Sequence, residues 1–305
     1  MRILITGPTS FSGAFFIEAL SCAGHEVVAT FTQAVSSYSG VRGQRARRSA
    51  EHAIVHEGVS FGDDRFLTLV EKESFDVFCH HGAWTTDYNS MEYDFESAFQ
   101  TNTRSMNKVC KALSENGCRK IIVSGSIFEE GETLFSPHGL VKKLTAQTTG
   151  FYGTHFGMHV SNFVISNPFG AFDNPKLIEH LFRSWHAGRS AYVWPPLYVR
   201  DNIPVSLLAL GFVHWVEHCP LTVETSSFTP SGYISTMGEF VERVALEMRI
   251  RLGLQCVVEM RIQTDFSQPM VLVNDTPLRP MFLEWDEYSF WDDLATYLRT
   301  GPSQV

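Results

Sequence analysis

The chain has 305 residues, 44% of them hydrophobic, and a formal net charge of −9, so it is long enough for a large core and for one or two domains. The negative charge argues against a nucleic-acid partner, because binding a phosphate backbone needs a basic surface. No apolar run approaches the length of a membrane span, and the six cysteines include no Cys-x-x-Cys pair of the kind that binds zinc. We therefore expect a cytoplasmic protein with no metal site, no nucleic-acid partner and no membrane attachment.

The first predicted element is a strand at Arg2–Thr6, followed by a glycine-containing turn and an apolar helix that ends before Gly24. In the turn, Gly7 and Gly13 occupy the first and last positions of a glycine fingerprint, whereas Ser10 stands where the middle glycine is expected. Backbone N–H groups at such a helix start point at phosphates, and a glycine lets a phosphate approach closely. The motif predicts a site for the pyrophosphate of a dinucleotide. A strand, turn and helix without a ligand is the plainer alternative.

Apolar strand-like runs recur along the first half of the chain, and helical patterns fill the longer gaps between them. The further predicted strands are Glu26–Phe31, Ala53–His56, Phe75–His80, Lys120–Ser124 and His159–Ser166. Alternation of this kind is typical of a doubly wound parallel sheet. The sequence therefore predicts an α/β protein with a Rossmann-type, NAD(P)-binding domain over residues 1–166.

Two long helices are predicted in this domain, at Tyr93–Asn116 and His138–Phe156, and the segment Gln33–Ser49 is expected to be mobile because it is rich in serine, glycine and arginine. Beyond residue 166, frequent prolines change the pattern. Residues 167–305 are therefore predicted to form mainly a smaller C-terminal α/β lobe that binds the substrate. Residues 203–218 are predicted to form a helix that returns to the sheet domain.

Seven short segments, spread over nearly the whole chain, occur in the order found in a known family. They are Thr6–Gly13, Gly62–Asp63, Asp76–Ala83, Asn102, Ser124–Ser126, Asn167–Gly170 and Val199–Asp201. Together they resemble the extended short-chain dehydrogenases/reductases, a family of NAD(P)-dependent nucleotide-sugar epimerases, dehydratases and reductases. The resemblance implies redox modification of a nucleotide-activated sugar, by 4-epimerisation through a transient ketone or by reduction of a 4-keto sugar. We expect an enzyme, and the alternative is a non-catalytic NAD(P)-binding regulatory or scaffold protein of the same fold.

The resemblance also implies which residues meet each ligand. The expected cofactor-binding residues are Thr6, Gly7, Ser10, Phe11, Gly13, Thr32, Asp63, Gly82, Ala83, Lys142 and Pro168. The expected substrate-binding residues are Thr85, Ser126, Asn167 and Arg200. Of these, Arg200 matches the arginine that grips the diphosphate, a role that suits the paired donors of a planar guanidinium.

The catalytic pair departs from the family pattern. The family has Tyr-x-x-x-Lys, whereas here His138 occupies the tyrosine position and Lys142 follows four residues later. Side chains at i and i+4 share one helix face, so both are expected to reach the same pocket. The chemistry needs a group that exchanges a proton with the sugar oxygen while nicotinamide exchanges hydride with the carbon. The lysine charge favours neutral imidazole, which can accept a proton.

Three roles remain open for His138. In the first, it takes the tyrosine role directly or through a water molecule, with Ser126 as hydrogen-bond partner, so that the catalytic residues are Ser126, His138 and Lys142. In the second, the chain binds cofactor and sugar but has lost hydride chemistry. In the third, Tyr88 or Thr85 in the loop after the fourth strand supplies the proton.

The cofactor and the oligomeric state follow from two further features. The segment Val27–Gln33 lacks the carboxylate that binds a ribose 2′-hydroxyl, so a 2′-phosphate is not repelled and NADP is favoured over NAD. Thr32, Arg42 and Arg45 are the candidates to bind that phosphate. In the family, the two long helices pair with their two-fold mates, so we expect a homodimer held by a four-helix bundle. Its seam is expected to include Leu140, Leu144 and Phe151.

Overall fold

The computed structural model describes residues 1–88, 90–129, 136–174, 177–221 and 225–300. They divide into two compact units. The first, here called the sheet unit, comprises Met1–Ile165 and Ala209–Thr229, and the second unit comprises Ser166–Leu208 and the described residues from Pro230 onward. The segment 203–218, predicted to return to the sheet, belongs to the sheet unit from Ala209 onward. The assignment of cofactor to one domain and substrate to the other stays a prediction.

The strands, in chain order, are β1 Arg2–Thr6, β2 Glu26–Phe31, β3 Ile54–Glu57, β4 Val77–His80, β5 Lys120–Ser126, β6 His159–Ile165, β7 Asn167–Phe169, β8 Ala191–Val193, β9 Val199–Pro204, β10 Ser226–Phe228, β11 Pro230–Ser231, β12 Tyr233–Thr236, β13 Val258–Met260, β14 Val271–Leu272 and β15 Thr276–Pro277. The helices are α1 Phe11–Cys22, α2 Gly40–Glu51, α3 Asp64–Lys72, α4 Phe95–Thr103, α5 Met106–Glu115, α6 Pro137–His155, α7 Leu177–His186, α8 Val205–His218, α9 Met237–Leu252 and α10 Glu287–Thr300. Short 3-10 helices occupy Val35–Ser37 and Ile127–Glu129.

A parallel sheet forms the centre of the sheet unit, and its seven strands within the described ranges have the order β10-β6-β5-β4-β1-β2-β3. Strand β1 pairs with both β2 and β4, so the strand order reverses beside it. Open α/β sheets bind ligands outside the carboxyl ends of the strands at such a switch point. The predicted Rossmann-type doubly wound sheet is confirmed, and it places the glycine turn after β1 at the switch point.

Aromatic side chains pack α1 and α8 against the sheet. Phe16 of α1 stacks on Phe212 of α8, with ring centroids 4.0 Å apart, and Phe163 of β6 meets Phe212 edge-on at 5.0 Å. All three rings are fully buried, and burial of a large side chain is worth about 2 kcal/mol each. This packing fixes α1, and with it the glycine turn, against the sheet.

The prediction of one helix over Tyr93–Asn116 is wrong. The structure has α4 and α5 instead, separated by Arg104 and Ser105. The φ of Ser105, +51°, lies in the left-handed region. At this break the backbone of Arg104 lies against Gly62, where a Cβ would collide with the Arg104 carbonyl. The apolar pattern continues on both sides of the break, so the helical period does not reveal it.

Most of the segment Gln33–Ser49, which is expected to be mobile, lies in α2. The hydroxyl of Ser49 donates to the carbonyl oxygen of Pro8 at 2.7 Å, which joins α2 to the glycine turn. Gly43 allows a close approach, since a Cβ there would lie 2.5 Å from the carbonyl oxygen of Tyr38. The first of these contacts joins residues 41 positions apart in sequence, and composition alone does not indicate it.

The second unit contains a small sheet of its own, in which β9 pairs with β7, β12 and β14 within the described residues. Phe169 of β7 is at the centre of its aromatic core. The ring of Phe169 lies 5.0 Å from that of Phe240 on α9, and 5.2 Å and 5.6 Å from those of Phe290 and Trp291 on α10. A capping box formed by Thr236 and Glu239 starts α9.

Candidate cofactor and active site

The turn after β1 brings two backbone segments into direct contact. Gly7 has a φ of +75°, and a Cβ there would lie 2.8 Å from the Cα and N atoms of Gly82, which follows β4. Thr6 fixes the second segment, because its Oγ1 accepts the N–H of His81 at 3.1 Å and that of Gly82 at 2.8 Å. Ala83 follows and is half-buried. A glycine at position 7 is therefore required by both its φ and its contact.

Helix α1 begins directly at this turn. Ser10 is its N-cap, with Oγ accepting the N–H of Gly13 at 3.0 Å while its hydroxyl donates to the carbonyl of Gly7 at 2.9 Å. A Cβ on Gly13 would collide with that carbonyl oxygen. The N–H groups of Phe11 and Ser12, in the first helical turn, have no intrahelical acceptor, and the positive end of the helix dipole lies beside them. The residues present thus fit a dinucleotide pyrophosphate.

The segment after β2 carries a hydroxyl pair beside a cation. Thr32 Oγ1 lies 3.0 Å from the hydroxyl oxygen of Tyr38, which also accepts the N–H of Gln33 at 3.1 Å. The Nε–H of Arg42 on α2 donates to Oγ1 of Thr9 at 3.0 Å, and its guanidinium lies 4.9 Å from the centre of the Tyr38 ring. Because Thr9 is part of the glycine turn, Arg42 is held next to that turn.

Asp63, another predicted cofactor contact, has a structural role within the sheet unit, and the two candidate arginines of α2 differ in burial. Asp63 is the N-cap of α3, with Oδ1 accepting the N–H of Phe66 at 2.7 Å and Oδ2 that of Ser60 at 3.0 Å. Arg45 is buried, whereas Arg42 is exposed. Of the two arginines, Arg42 is therefore the better placed to meet a ligand.

A buried carboxylate lies at the end of β5. Glu129 is only 6% exposed, and its Oε1 accepts the N–H of Ser126 at 2.8 Å and the side-chain N–H of Asn162 at 3.1 Å. Gly125 makes room for it, since a Cβ there would collide with that oxygen. Oε2 has no hydrogen-bond partner in the part of the chain that the structure describes. The hydroxyl oxygen of Ser126 accepts the N–H of Phe128 at 3.3 Å.

Helix α6 presents the two predicted catalytic residues from its first turns. It begins at Pro137, a favoured first position for proline, and His138 and Lys142 are 8% and 7% exposed. Two tyrosine rings meet the imidazole edge-on, that of Tyr88 at 5.5 Å and that of Tyr93 at 5.7 Å between centroids. Within the described ranges, Nδ1 of His138 is a buried atom without a hydrogen-bond partner.

The charges around α6 keep the imidazole neutral. Burial, assisted by the Lys142 ammonium, lowers the pKa of His138 to about 4. Burial also lowers the pKa of Lys142, and the Glu129 carboxylate opposes that shift. Near pH 7, His138 is therefore a neutral donor and acceptor, while Glu129 favours the charged form of Lys142.

The start of α6 packs on the segment after β5. Gly139 permits this approach, since a Cβ there would collide with the carbonyl oxygen of Phe128. His138 and Ser126 thus lie on neighbouring pieces of backbone, although no hydrogen bond joins their side chains in the described structure. Thr85, in the loop after β4, is exposed. The catalytic roles of Ser126, His138 and Lys142 and the substrate role of Thr85 stay predictions.

Arg200 lies on β9 in the second unit and is buried. Its Nη1–H groups donate to the carbonyls of Val199 at 2.9 Å and Pro269 at 3.1 Å, its Nη2–H to Oε1 of Gln268 at 3.0 Å, and its guanidinium lies 4.5 Å from the Tyr198 ring centre. These bonds tie β9 to a neighbouring loop. Binding of a substrate diphosphate by Arg200 stays a prediction.

Asp201, next to Arg200, is bound by backbone rather than by the guanidinium. Its Oδ1 accepts the N–H of Gly232 at 2.7 Å and its Oδ2 that of Asn274 at 3.3 Å, while burial raises its pKa. Asn167 and Pro168, on β7, are half-buried. Their roles toward substrate and cofactor likewise stay predictions.

No metal cluster and no membrane helix are found in the described residues. Within those ranges, no three His, Cys, Asp or Glu side chains stand together as potential metal ligands. The six cysteines are free, with Cys22 exposed and the other five buried. None of the helices described above has the length and apolar character needed to cross a membrane.

A family model described as the NAD dependent epimerase/dehydratase family matches residues 3–219. The chain belongs to this family. No match was found among curated proteins. The resemblance to extended short-chain dehydrogenases/reductases is thereby confirmed, and the chain belongs to a family of NAD-dependent enzymes.

Solved structures share the fold over almost the whole chain. UDP-glucuronic acid 4-epimerase from Bacillus cereus, in complex with UDP-glucuronic acid and NAD, has a TM-score of 0.75 at 14% identity and covers 98% of this chain and 99% of its own. UDP-glucose 4-epimerase from Thermotoga maritima, with UDP-glucose, has a TM-score of 0.74 at 15% identity, with coverage of 98% and 99%. A dTDP-glucose 4,6-dehydratase from Streptomyces venezuelae, with NAD bound, has a TM-score of 0.71 at 17% identity, with coverage of 98% and 96%.

Two buried side chains of the sheet unit, Glu129 and His81, were not predicted from the sequence as part of the site. Glu129 lies in a segment without a helical or strand period, and Gly125, four residues earlier, is the only sign of it in the sequence. His81 follows His80 directly, just after the end of β4. Its hydrogen bonds come from residues about 70 and 40 positions away, which no local pattern shows.

Proposed function

We propose that this member of the epimerase/dehydratase family carries out NAD(P)-dependent redox modification of a nucleotide-activated sugar, by reduction of a 4-keto group or by 4-epimerisation. The observation that carries the proposal is the pyrophosphate cradle at the switch point of the sheet. There, Gly7 touches the backbone of Gly82, and the first N–H groups of α1 have no intrahelical acceptor. The bound nicotinamide would supply or accept the hydride. In the second unit, Asn167 and Arg200 are the proposed contacts to the sugar and its diphosphate.

His138 is the proposed acid/base, with Lys142 and Ser126 beside it. Because its imidazole is neutral near pH 7, its N–H can donate a hydrogen bond to a ketone oxygen, and neutral imidazole is known to polarise carbonyls in this way. In the oxidative direction, its free nitrogen can accept the proton of a sugar hydroxyl.

NADP is the proposed cofactor, because the position after β2 has no carboxylate and Arg42 is fixed beside the glycine turn. We expect Arg42→Ala to raise the dissociation constant for NADPH about tenfold, since a guanidinium bound to a phosphate contributes a charge-assisted hydrogen bond. The constant for NADH should change less than about twofold. Fluorescence titration of the reduced dinucleotides measures both.

Arg47→Ala is the matched control for this experiment. Arg47 is an exposed arginine on the same helix, so its removal changes the net charge equally. We expect it to leave both dissociation constants unchanged. Tighter binding of NADH than of NADPH by the unmodified protein would assign NAD instead. Equal losses of NADPH affinity in the two arginine variants would show that Arg42 makes no specific contact with the 2′-phosphate. If the unmodified protein binds neither NADPH nor NADH, the proposed function is contradicted.

A homodimer is proposed for the active protein, held by a bundle of the helices α4, α5 and α6 with their two-fold mates. In support of this, Phe151 on α6 is 68% exposed, and Leu140 and Leu144 are only partly buried. Light scattering at micromolar concentration should give twice the chain mass of 34.4 kDa. A monomer mass there would exclude the bundle.

A further inference from the structure

A buried histidine connects the glycine turn to strand β5. His81 follows β4 and is 8% exposed. Its Nδ1 lies 2.7 Å from Oγ of Ser124 on β5, and its Nε2 lies 2.9 Å from Oγ of Ser10 and 3.3 Å from Oγ of Ser12. The ring also meets the Phe16 ring edge-on at 5.1 Å. The imidazole is therefore held on three sides inside the sheet unit.

Counting protons fixes the tautomer of this histidine. The hydroxyl proton of Ser10 is used toward the carbonyl of Gly7, and one lone pair of Ser10 Oγ accepts the N–H of Gly13. Toward His81, Ser10 can therefore only accept, so the proton of the imidazole is on Nε2. Nδ1 is left as the acceptor for the hydroxyl of Ser124.

The same ring stays neutral in the folded protein. Burial, together with the positive charge of Lys142 and the neighbouring His80, lowers the pKa of His81 to about 3. At neutral pH, the hydrogen-bonding capacity of the Ser10 hydroxyl is then used within the turn and the core. Its rotamer is fixed by three partners, Gly7, Gly13 and His81.

This arrangement bears on the unusual residue of the fingerprint. In dinucleotide-binding turns, the middle glycine lets the backbone approach the pyrophosphate, and here a serine occupies its place. A mobile hydroxymethyl group at this position would compete for the space and the N–H groups that the phosphates use. With the hydroxyl bound inward, the N–H groups of Phe11 and Ser12 are left for the phosphates.

We propose that His81 is a positioning residue of the dinucleotide site, which holds the Ser10 hydroxyl toward the core so that a serine can replace the middle glycine. The inference rests on the proposed function, since it presupposes that the turn binds a dinucleotide. It adds a buried residue that contacts the turn through Ser10, and a reason why the altered fingerprint could bind a dinucleotide.

A double-mutant cycle of Ser10 and His81 tests this role. We expect His81→Leu to raise the dissociation constant for NADPH at least tenfold, because the serine is released. Ser10→Gly is the reference for the second half of the cycle, because a glycine at the N-cap has no hydroxyl to fix. The double variant Ser10→Gly, His81→Leu should bind nearly as tightly as Ser10→Gly. General damage to the core by the leucine would not be rescued by the glycine.

Ring nitrogen shifts in the unmodified protein provide a second test that does not depend on a variant folding. With histidine labelled by ¹⁵N, the His81 ring should show the Nε2–H tautomer at every pH from 5 to 9. An Nδ1–H tautomer or a titration in that range would overturn the inference. So would a His81→Leu protein that binds NADPH as tightly as the wild type, or a double variant as weak as His81→Leu. If the wild type binds no dinucleotide, the proposed function fails and the inference with it.

Discussion

Replacement of His138 by alanine should lower the turnover number about 10²-fold or more, the usual contribution of a general acid–base group, with little change in the dissociation constant for the dinucleotide. The reason is its place on α6, where it is buried four residues before Lys142 and next to the backbone that follows Ser126. Steady-state kinetics and dinucleotide titration of the same protein separate the two effects. His186→Ala, an exposed histidine at the end of α7, is the control and should leave both constants unchanged.

The pH profile gives a second measurement on the same group. With its pKa at about 4, His138 stays neutral from pH 6 to 8, so the wild-type rate should not titrate with it there. Lys142→Met removes one of the two causes of the shift, so the imidazole pKa rises while burial still holds it below its ordinary value. The neutral form is then lost at a higher pH, and the acidic limb of the normalised profile moves upward.

Two further outcomes would reassign the proton. Equal turnover in the wild type and His138→Ala would transfer the role to another residue, and Tyr88 is the candidate because its ring lies 5.5 Å from that of His138. Activity that appears only in His138→Tyr would identify a binding protein that has lost its catalytic group.

Alanine at Gly7 should reduce the free energy of unfolding by about 3 kcal/mol or more, through backbone strain and overpacking together. Its φ is +75°, and the added Cβ would lie 2.8 Å from the backbone of Gly82. Gly24→Ala is the matched control, since its φ is +84° but no atom lies within 4 Å of the added Cβ. The strain alone should cost about 1 kcal/mol there.

Urea unfolding of the two glycine variants measures the difference. A loss at Gly7 no greater than that at Gly24 would show that the contact between the turns after β1 and β4 is not made in solution. The Gly7 variant should also bind NADPH more weakly, because the two turns that form the pyrophosphate cradle are pushed apart.

Much of the sheet could be predicted, because buried strands appear in the sequence as short apolar runs. The predicted strand Glu26–Phe31 has the observed bounds of β2, and His159–Ser166 exceeds β6 by one residue. The break between α4 and α5 could not be predicted, since it arises where Arg104 meets Gly62, about 40 residues earlier in the chain. A contact of that kind leaves the apolar period of both helices intact.

The candidate site was predictable to the extent that it follows local motifs. The glycine turn and the His138–Lys142 spacing are visible in the sequence, because a turn and one helix face are set by nearby residues. The roles of Glu129 and His81 depend on partners on other strands, Asn162 in one case and Ser124 in the other. Only the folded sheet brings those side chains together.

Transfer of deuterium from nicotinamide to sugar is the most direct test of the proposed reaction. The purified protein is incubated with NADPH that carries deuterium at both positions on C4 of the nicotinamide, together with UDP-, dTDP- and GDP-linked 4-keto sugars. The nucleotide sugars are then analysed by mass spectrometry. A 4-keto reductase would give a reduced sugar that carries one deuterium, and His138→Ala would form it at least about 10²-fold more slowly. The oxidised cofactor with the corresponding 4-hydroxy sugars tests for 4-epimers. If neither a deuterated sugar nor a 4-epimer forms from any of these substrates, the assignment of this chain as a nucleotide-sugar redox enzyme is contradicted.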